Sequence, residues 1–117
     1  MSKSNTVKTF EYNGQEYSLV FNLNVMESIQ AKYGSVQAWG ELTEGEKDGE
    51  PNLEAVLYGF TEMVNEGIEI YNDENDKKRK LLTKKQVGRL ITNIGLAEAA
   101  GMIQSSVTES TTVETKN

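Results

Sequence analysis

The sequence predicts a mainly α (α+β) fold, in which an N-terminal β-hairpin is followed by a small bundle of about four helices. Two observations lead to this prediction. An Asn-Gly turn signal separates two short segments of alternating polarity near the N-terminus, and apolar residues recur at intervals of three and four over most of the remaining chain. The length of 117 residues is that of one ordinary domain, which buries enough surface to fold without a disulfide or a metal.

The predicted hairpin turns at Asn13-Gly14, because this dipeptide supplies the two positive φ angles of a type I′ turn. A two-residue turn pairs Phe10 with Tyr17 and places Leu19 on the same face. That face is largely aromatic, whereas the opposite face is polar. Since an isolated two-stranded hairpin is only marginally stable in water, we expect the aromatic face to pack on the helices.

The next two helices are predicted from the residues at their ends. Asn22 and Asn24 are alternative N-caps of the first helix, and Gly34 is placed to end it in a left-handed conformation. Ser35 can cap a shorter helical segment that continues to about residue 42. The acidic, glycine-containing sequence after that segment has nothing to bury, so we predict a loop there.

The strongest helical pattern in the chain begins at Asn52, the predicted N-cap of a central helix. Its apolar residues follow one face: Leu53, Val56, Leu57, Phe60, Val64, Ile68 and Tyr71. Burial of these side chains is worth on the order of 10–20 kcal/mol before the entropy cost, so this helix is expected to organise the core. Gly59 and Gly67 are unfavourable inside a helix, and we expect them to mark close helix contacts.

Two more helices are predicted after a polar connector over residues 72–80. Thr83 and Gln86 form a capping box, and Gly95 is placed to end the helix. The apolar residues of this helix are Val87, Leu90, Ile91 and Ile94. A weaker apolar stripe over residues 96–107 predicts the last helix.

The pattern divides the chain into three parts. We predict a flexible N-terminus over residues 1–6, a single domain over residues 7–107 and a disordered polar tail over residues 108–117, where the sequence is rich in Ser and Thr. No run approaches the roughly 20 apolar residues of a membrane span, and the N-terminus has no apolar signal core. We therefore expect no membrane partner and a cytoplasmic location.

The chain contains no histidine and no cysteine. This excludes disulfides, thiol nucleophiles, Cys/His zinc sites and imidazole as a base near neutral pH. A calcium loop that starts at Asp73 is excluded as well, because Lys77 and Lys84 occupy ligand positions and Lys78 replaces the glycine. We therefore predict no enzyme activity, no catalytic residue, no metal and no cofactor.

Three glutamates of the central helix, Glu62, Glu66 and Glu69, share one helical stripe and could in principle form an acid–base pair. The stripe lies away from the apolar face of the helix. We therefore predict that these side chains are solvated and have no catalytic role.

Charge is distributed unevenly along the chain, whose net charge is -6. Residues 41–76 carry twelve acidic side chains against Lys47 alone, whereas residues 77–89 carry seven basic side chains and no acid. The basic segment is the one feature suited to nucleic acid. The neighbouring acidic excess and the absence of interleaved aromatic residues argue against that use, so we do not expect a nucleic-acid partner.

The sequence FNLNVMESIQAKYG (residues 21–34) has an aromatic-Asn-apolar start and a Tyr-Gly end. It follows an aromatic hairpin and precedes an acidic loop, an amphipathic helix and two more helices. Over residues 7–107 this layout resembles the tail assembly chaperones of long-tailed phages and prophages of Gram-positive bacteria.

The resemblance implies a non-enzymatic protein that binds the tape measure protein, keeps it soluble and helps tail tube subunits assemble around it. Its partners would be the tape measure protein and the tail tube protein, with a homo-oligomer left open. It would act in the host bacterial cytoplasm and would not belong to the mature virion. Many members of that family have a longer, frameshifted form, and this chain looks like the short form.

A chaperone for an amphipathic helical client needs exposed apolar surface. Our candidate contacts are the large residues that the core stripes leave unassigned: Trp39, Leu42, Tyr58, Met63 and Met102. These residues can equally complete the core. The alternative function is that of a small phage or prophage DNA-binding regulator or packaging adaptor that uses the basic segment 77–89.

Overall fold

The computed structural model describes residues 7–45 and 49–115 of the chain. In chain order its elements are β1 (Val7–Tyr12), β2 (Gln15–Val20), α1 (Leu23–Tyr33), α2 (Val36–Glu44), α3 (Leu53–Asn75), α4 (Lys84–Ile94) and α5 (Leu96–Thr115). The predicted fold class is therefore confirmed, with five helices in the described ranges rather than about four. The shorter helical segment that we predicted after Ser35 is a helix of nine residues, α2.

The hairpin has the predicted turn and register. Asn13 and Gly14 both have positive φ angles, 55° and 74°, as a type I′ turn requires. Phe10 pairs with Tyr17 across the two strands, and their ring centroids are 5.8 Å apart. Phe10 also meets the ring of Phe60 edge-on at 5.7 Å, so the aromatic face of the hairpin packs on α3 as expected.

Side-chain caps begin four of the helices. Each capping oxygen accepts a hydrogen bond from the backbone N–H three residues later, and the caps are Asn22, Ser35, Asn52 and Thr83. Asn22 is therefore the cap of α1, which decides between the two asparagines that the sequence left open. The capping box of Thr83 and Gln86 is formed in both directions, as predicted.

Helix α3 lies at the centre of the fold and contacts β2 and all four other helices. Its buried residues are Ala55, Val56, Gly59, Phe60, Met63, Val64, Gly67 and Ile68. Leu53 and Tyr71, which we assigned to the apolar stripe, are exposed instead. Leu53 is the first residue of α3, and Tyr71 lies near the other end of the helix, where its ring contacts Arg79.

The two central glycines of α3 lie where neighbours approach most closely. A Cβ atom at Gly59 would overlap the indole of Trp39 on α2, which is the close helix contact that we predicted. A Cβ atom at Gly67 would lie 2.5 Å from the carbonyl oxygen of Ser18, so the close neighbour at this position is a strand of the hairpin rather than a helix.

Helix α5 continues to Thr115, so the tail that we predicted to be disordered over residues 108–117 is helical as far as Thr115. Two serine hydroxyls of α5 bind backbone carbonyls, and the second of them anchors the helix to the rest of the fold beyond residue 107. Ser106 donates a hydrogen bond to the carbonyl of Met102, and the buried Ser110 donates one to the carbonyl of Phe21 at 3.2 Å. Residues 1–6 and 116–117 lie outside the described residues, and the domain limits of 7–107 stay a prediction.

None of the helices in ranges 7–45 and 49–115 combines the length and the apolar character that crossing a membrane requires.

Candidate functional site

We predicted that the glutamate stripe of α3 is solvated. The structure differs for two of its three residues, because side chains at α1 bind them. Glu66 accepts hydrogen bonds from the side-chain amides of Asn22 (2.8 Å) and Asn24 (3.1 Å). The hydroxyl of Ser28 donates a hydrogen bond to Glu62 at 2.9 Å. The last glutamate of the stripe is exposed. Two of the three carboxylates therefore hold α1 against α3.

A second polar cluster joins the other ends of the same two helices. The phenol of Tyr33 donates to Glu54 at 2.5 Å, and the ammonium of Lys32 lies 3.2 Å from the other oxygen of that carboxylate. The same ammonium lies 5.2 Å from the ring centroid of Tyr58, whose hydroxyl is 2.8 Å from that of Ser28. Tyr58, one of our candidate contacts, is thus part of the α1–α3 interface.

This cluster shifts two pKa values in opposite directions. Burial, together with the hydrogen bond to Glu54, raises the pKa of Tyr33. The hydrogen bond from Tyr33, followed by the nearby charge of Lys32, lowers the pKa of the Glu54 carboxyl. The pair is therefore a neutral phenol bound to an ionised carboxylate at neutral pH.

Glu54→Gln should weaken the dependence of stability on pH in the acidic range. Because the folded-state pKa of Glu54 is depressed, its contribution is present above the unfolded value of about 4.3 and is lost as the pH falls through the folded value. The Glu54 side chain is 48% exposed, so we expect a difference below about 1 kcal/mol. Urea unfolding from pH 6 to pH 3 measures it. Glu74→Gln, at an exposed position, is the control, and parallel curves for wild type and Glu54→Gln would contradict the prediction.

The connector between α3 and α4 (residues 76–83) contains the first basic residues of segment 77–89, and two asparagines of α3 bind it. Asn65 accepts from the backbone N–H of Leu82 (2.8 Å) and donates to its carbonyl (3.0 Å). Asn72 makes the same pair of bonds with Arg79, at 3.0 and 2.9 Å. Asn65 and Asn72 are seven residues apart in a helix, which corresponds to about 10.5 Å. Their partners are three residues apart in an extended segment, which corresponds to about 10 Å, so the distances along the two segments match. The connector therefore runs antiparallel to α3 along its surface.

The guanidinium of Arg79 contacts other residues of the protein. Its guanidinium carbon lies 5.3 Å from the ring centroid of Tyr17 and 5.0 Å from that of Tyr71, and its Nη2 atom donates to the carbonyl of Glu16 at 3.2 Å. The other cations of the basic segment are exposed: Lys77, Lys78, Lys80, Lys84, Lys85 and Arg89. The segment thus presents six of its seven positive charges to solvent.

Arg79→Ala should lower the free energy of unfolding by about 1–2 kcal/mol, because it removes two cation–π contacts and a hydrogen bond to the hairpin. Urea denaturation measures the change. Lys80→Ala is the matched control, since this neighbouring cation is exposed and should change stability by less than about 0.5 kcal/mol. Equal losses in the two variants would show that Arg79 does not hold the connector to the hairpin.

The structure separates our five candidate contacts. Trp39 and Met63 are fully buried in the core, and Trp39 donates its indole N–H to a carbonyl of α3 at 3.0 Å. Tyr58 is half-buried at the α1–α3 interface. Leu42 on α2 is exposed, and Met102 on α5 is half-buried. Trp39 and Met63 therefore complete the core, and the role of the other three in partner binding stays a prediction.

A groove of about 270 Å³ lies between α2 and α5, and we call it the α2–α5 groove. It is lined by Val36, Gln37, Trp39, Gly40, Glu41, Glu44, Gln104 and Val107. Gln104 of α5 donates to the hydroxyl of Thr43 at 3.1 Å, which joins the two helices beside the groove. Of our five candidate contacts only Trp39 belongs to this lining, and the rest of the site was not predicted. The signal was present, because Val36, Gly40 and Glu44 follow one another at intervals of four.

The carboxylates of the described ranges do not form a metal site. In those ranges no three of them are grouped so that they could hold a metal ion. Two carboxylates of α3, Glu62 and Glu66, accept hydrogen bonds from Ser28 and Asn22 instead.

Comparison of the chain with known protein families, with characterised proteins and with solved structures finds no match. The fold and the individual contacts described above are therefore the basis for a functional proposal.

Proposed function

We propose that this protein is a non-enzymatic tail assembly chaperone that binds the tape measure protein, keeps it soluble and assists assembly of the tail tube around it. The observation that carries the proposal is the order of elements. An aromatic hairpin leads into an Asn-capped helix that ends at Gly34, and the short helix α2, the long central helix α3 and two further helices come after it. This is the layout that resembles the tail assembly chaperones of phages and prophages.

Accessible apolar side chains support a role in binding a helical client. Among the described residues, the exposed large hydrophobic side chains are Leu23, Leu42, Leu53, Tyr71 and Leu81. A binding protein for amphipathic helices needs such side chains within a charged, soluble surface. The chaperone would work in the host bacterial cytoplasm and would not remain in the mature virion.

The use of the carboxylates supports a non-enzymatic role. Glu62 and Glu66 accept hydrogen bonds from Ser28 and Asn22. Glu54 accepts a hydrogen bond from Tyr33 and forms a salt bridge with Lys32. Carboxylates held in this way act as links between helices, whereas a general base must be within reach of a substrate proton.

The six exposed cations of segment 77–89 favour the alternative, a small DNA-binding regulator or packaging adaptor. The two functions differ in their dependence on salt. Phosphate contacts weaken steeply as salt displaces them, whereas burial of apolar surface does not.

Co-expression with the tape measure protein encoded in the same genome tests the proposal. The client should move from the pellet to the supernatant and co-purify with the chaperone at about 0.5 M salt, where charge interactions are screened within a few ångströms. Lys84→Glu/Lys85→Glu, which reverses two exposed cations, should leave this result unchanged. If the client stays in the pellet and wild-type protein retains DNA at low salt, the chaperone function is wrong and the DNA-binding function replaces it.

A further inference from the structure

We propose that the α2–α5 groove is the docking site for a partner helix that carries lysine or arginine beside an apolar stripe. This inference rests on the proposed function, because it assigns the client's binding surface and the charge of the segment that binds. Three properties of the groove lead to it: its apolar lining, its size and the charge of its walls.

The lining combines apolar side chains with polar and acidic ones. Val36 and Val107 contribute branched aliphatic side chains, and the core residue Trp39 also belongs to the lining. A volume of about 270 Å³ is below the roughly 300–1,000 Å³ of typical small-molecule sites. The groove therefore suits one or two side chains that project from a helix, in the manner of helix-in-groove recognition.

The charge of the walls indicates the charge of the partner. Helices α2 and α5 contain no lysine and no arginine, whereas α2 carries Glu41 and Glu44. Both α2 glutamates line the groove. A helix with cations beside its apolar stripe is attracted to these walls, and an acidic helix is repelled. A second copy docked through the same face would bring like charges together, so the occupant is a different, basic chain.

Gly40 keeps the groove open. It lies within α2 and lines the groove, and a Cβ atom added there would meet no heavy atom within 4 Å. A larger side chain at this lining position would occupy part of the groove. Gly40→Leu should therefore fill the docking site, while Gly40→Ala should leave it open and favour the helix.

Two synthetic peptides test the proposal. Both are roughly 18 residues, about five helical turns, with leucines at the i, i+3, i+4 and i+7 positions of one stripe. One has lysines beside the stripe, and the other has glutamates. Fluorescence anisotropy with the full-length protein should show the lysine peptide binding at least about tenfold more tightly.

Variants then locate the binding site. Gly40→Leu should weaken binding of the lysine peptide by at least about tenfold, and Gly40→Ala should bind within about twofold of wild type. Glu41→Lys/Glu44→Lys, at the groove edge, should abolish the preference for the lysine peptide. Asp73→Lys/Glu74→Lys makes the same change of net charge at exposed positions near the end of α3 and should retain the preference.

Three results would overturn the inference. The first is equal binding of the two peptides, and the second is equal binding by wild type and Gly40→Leu. The third is a wild-type dimer that Gly40→Leu converts to a monomer, since a second copy would then fill the groove. If Gly40→Leu proves unfolded by its thermal melt, the Glu41→Lys/Glu44→Lys comparison alone decides.

The co-expression experiment separates the inference from the function. A Gly40→Leu variant that solubilises the tape measure protein as well as wild type does would refute the groove and leave the chaperone function standing. A wild-type protein that binds the lysine peptide but leaves the tape measure protein insoluble would refute the chaperone function and leave the groove standing.

Discussion

Phe60→Ala should lower the free energy of unfolding by about 3–5 kcal/mol, because it leaves a cavity at the centre of the fold. The Phe60 side chain is fully buried in the middle of α3, and its ring meets that of Phe10 at 5.7 Å. The substitution therefore loosens the contact between the central helix and the hairpin as well as the helix packing. A domain of this size is stable by only about 5–15 kcal/mol, so the loss is a large fraction of the total.

Urea denaturation followed by circular dichroism measures this loss, and Leu53→Ala is the matched control. Leu53 lies on the same helix and is 68% exposed, so its truncation should cost less than about 1 kcal/mol. If Phe60→Ala is no less stable than Leu53→Ala, the face of α3 that we describe as buried does not form the core.

Gly67→Ala should destabilise the protein by about 1–3 kcal/mol, although alanine is the better helix former. The added methyl would lie 2.5 Å from the carbonyl oxygen of Ser18, and this neighbour is backbone that cannot rotate away. The hairpin would have to move off α3. Thermal or urea unfolding measures the change.

Gly88→Ala provides the opposite case. Gly88 lies inside α4, and a Cβ atom there would meet no heavy atom within 4 Å. The substitution should therefore raise the free energy of unfolding by up to about 1 kcal/mol. A gain in both variants would show that the hairpin does not press on α3 at Gly67.

Features set by neighbouring residues were predictable from the sequence. The type I′ turn at Asn13-Gly14 and the capping box of Thr83 and Gln86 depend on contacts within four residues of each other, and both formed as expected. The stripe of α3 was also predictable at its centre, because its period of three to four is a local property. The fold class followed from these signals.

Features set by distant residues were not predictable in the same way. Ser110 is held in a helix by a hydrogen bond to Phe21, 89 residues away, and the composition of the tail contains no sign of it. Likewise Glu66 accepts a hydrogen bond from Asn22, which is 44 residues away in sequence. This contact exists only because α1 packs on that side of α3. Periodicity indicates which face of a helix is apolar, but it does not indicate which polar face a neighbour covers.

The candidate site shows the same limit. Trp39 and Met63 are large apolar residues outside the main stripes, and a partner or the core could bury them equally well. The structure places both in the core. The α2–α5 groove depends on how two helices lie together, although the even spacing of its α2 residues is visible in the sequence.

Suppression of aggregation by the purified protein is the most direct test of the claim that it binds a helical client through apolar surface. Tape measure protein is diluted from denaturant into buffer with about 0.5 M salt, and light scattering is followed with increasing amounts of the purified protein. We predict that scattering falls in proportion to the added protein and reaches a minimum at a fixed ratio of the two chains, without nucleotide. Scattering that stays unchanged at every ratio would contradict the account.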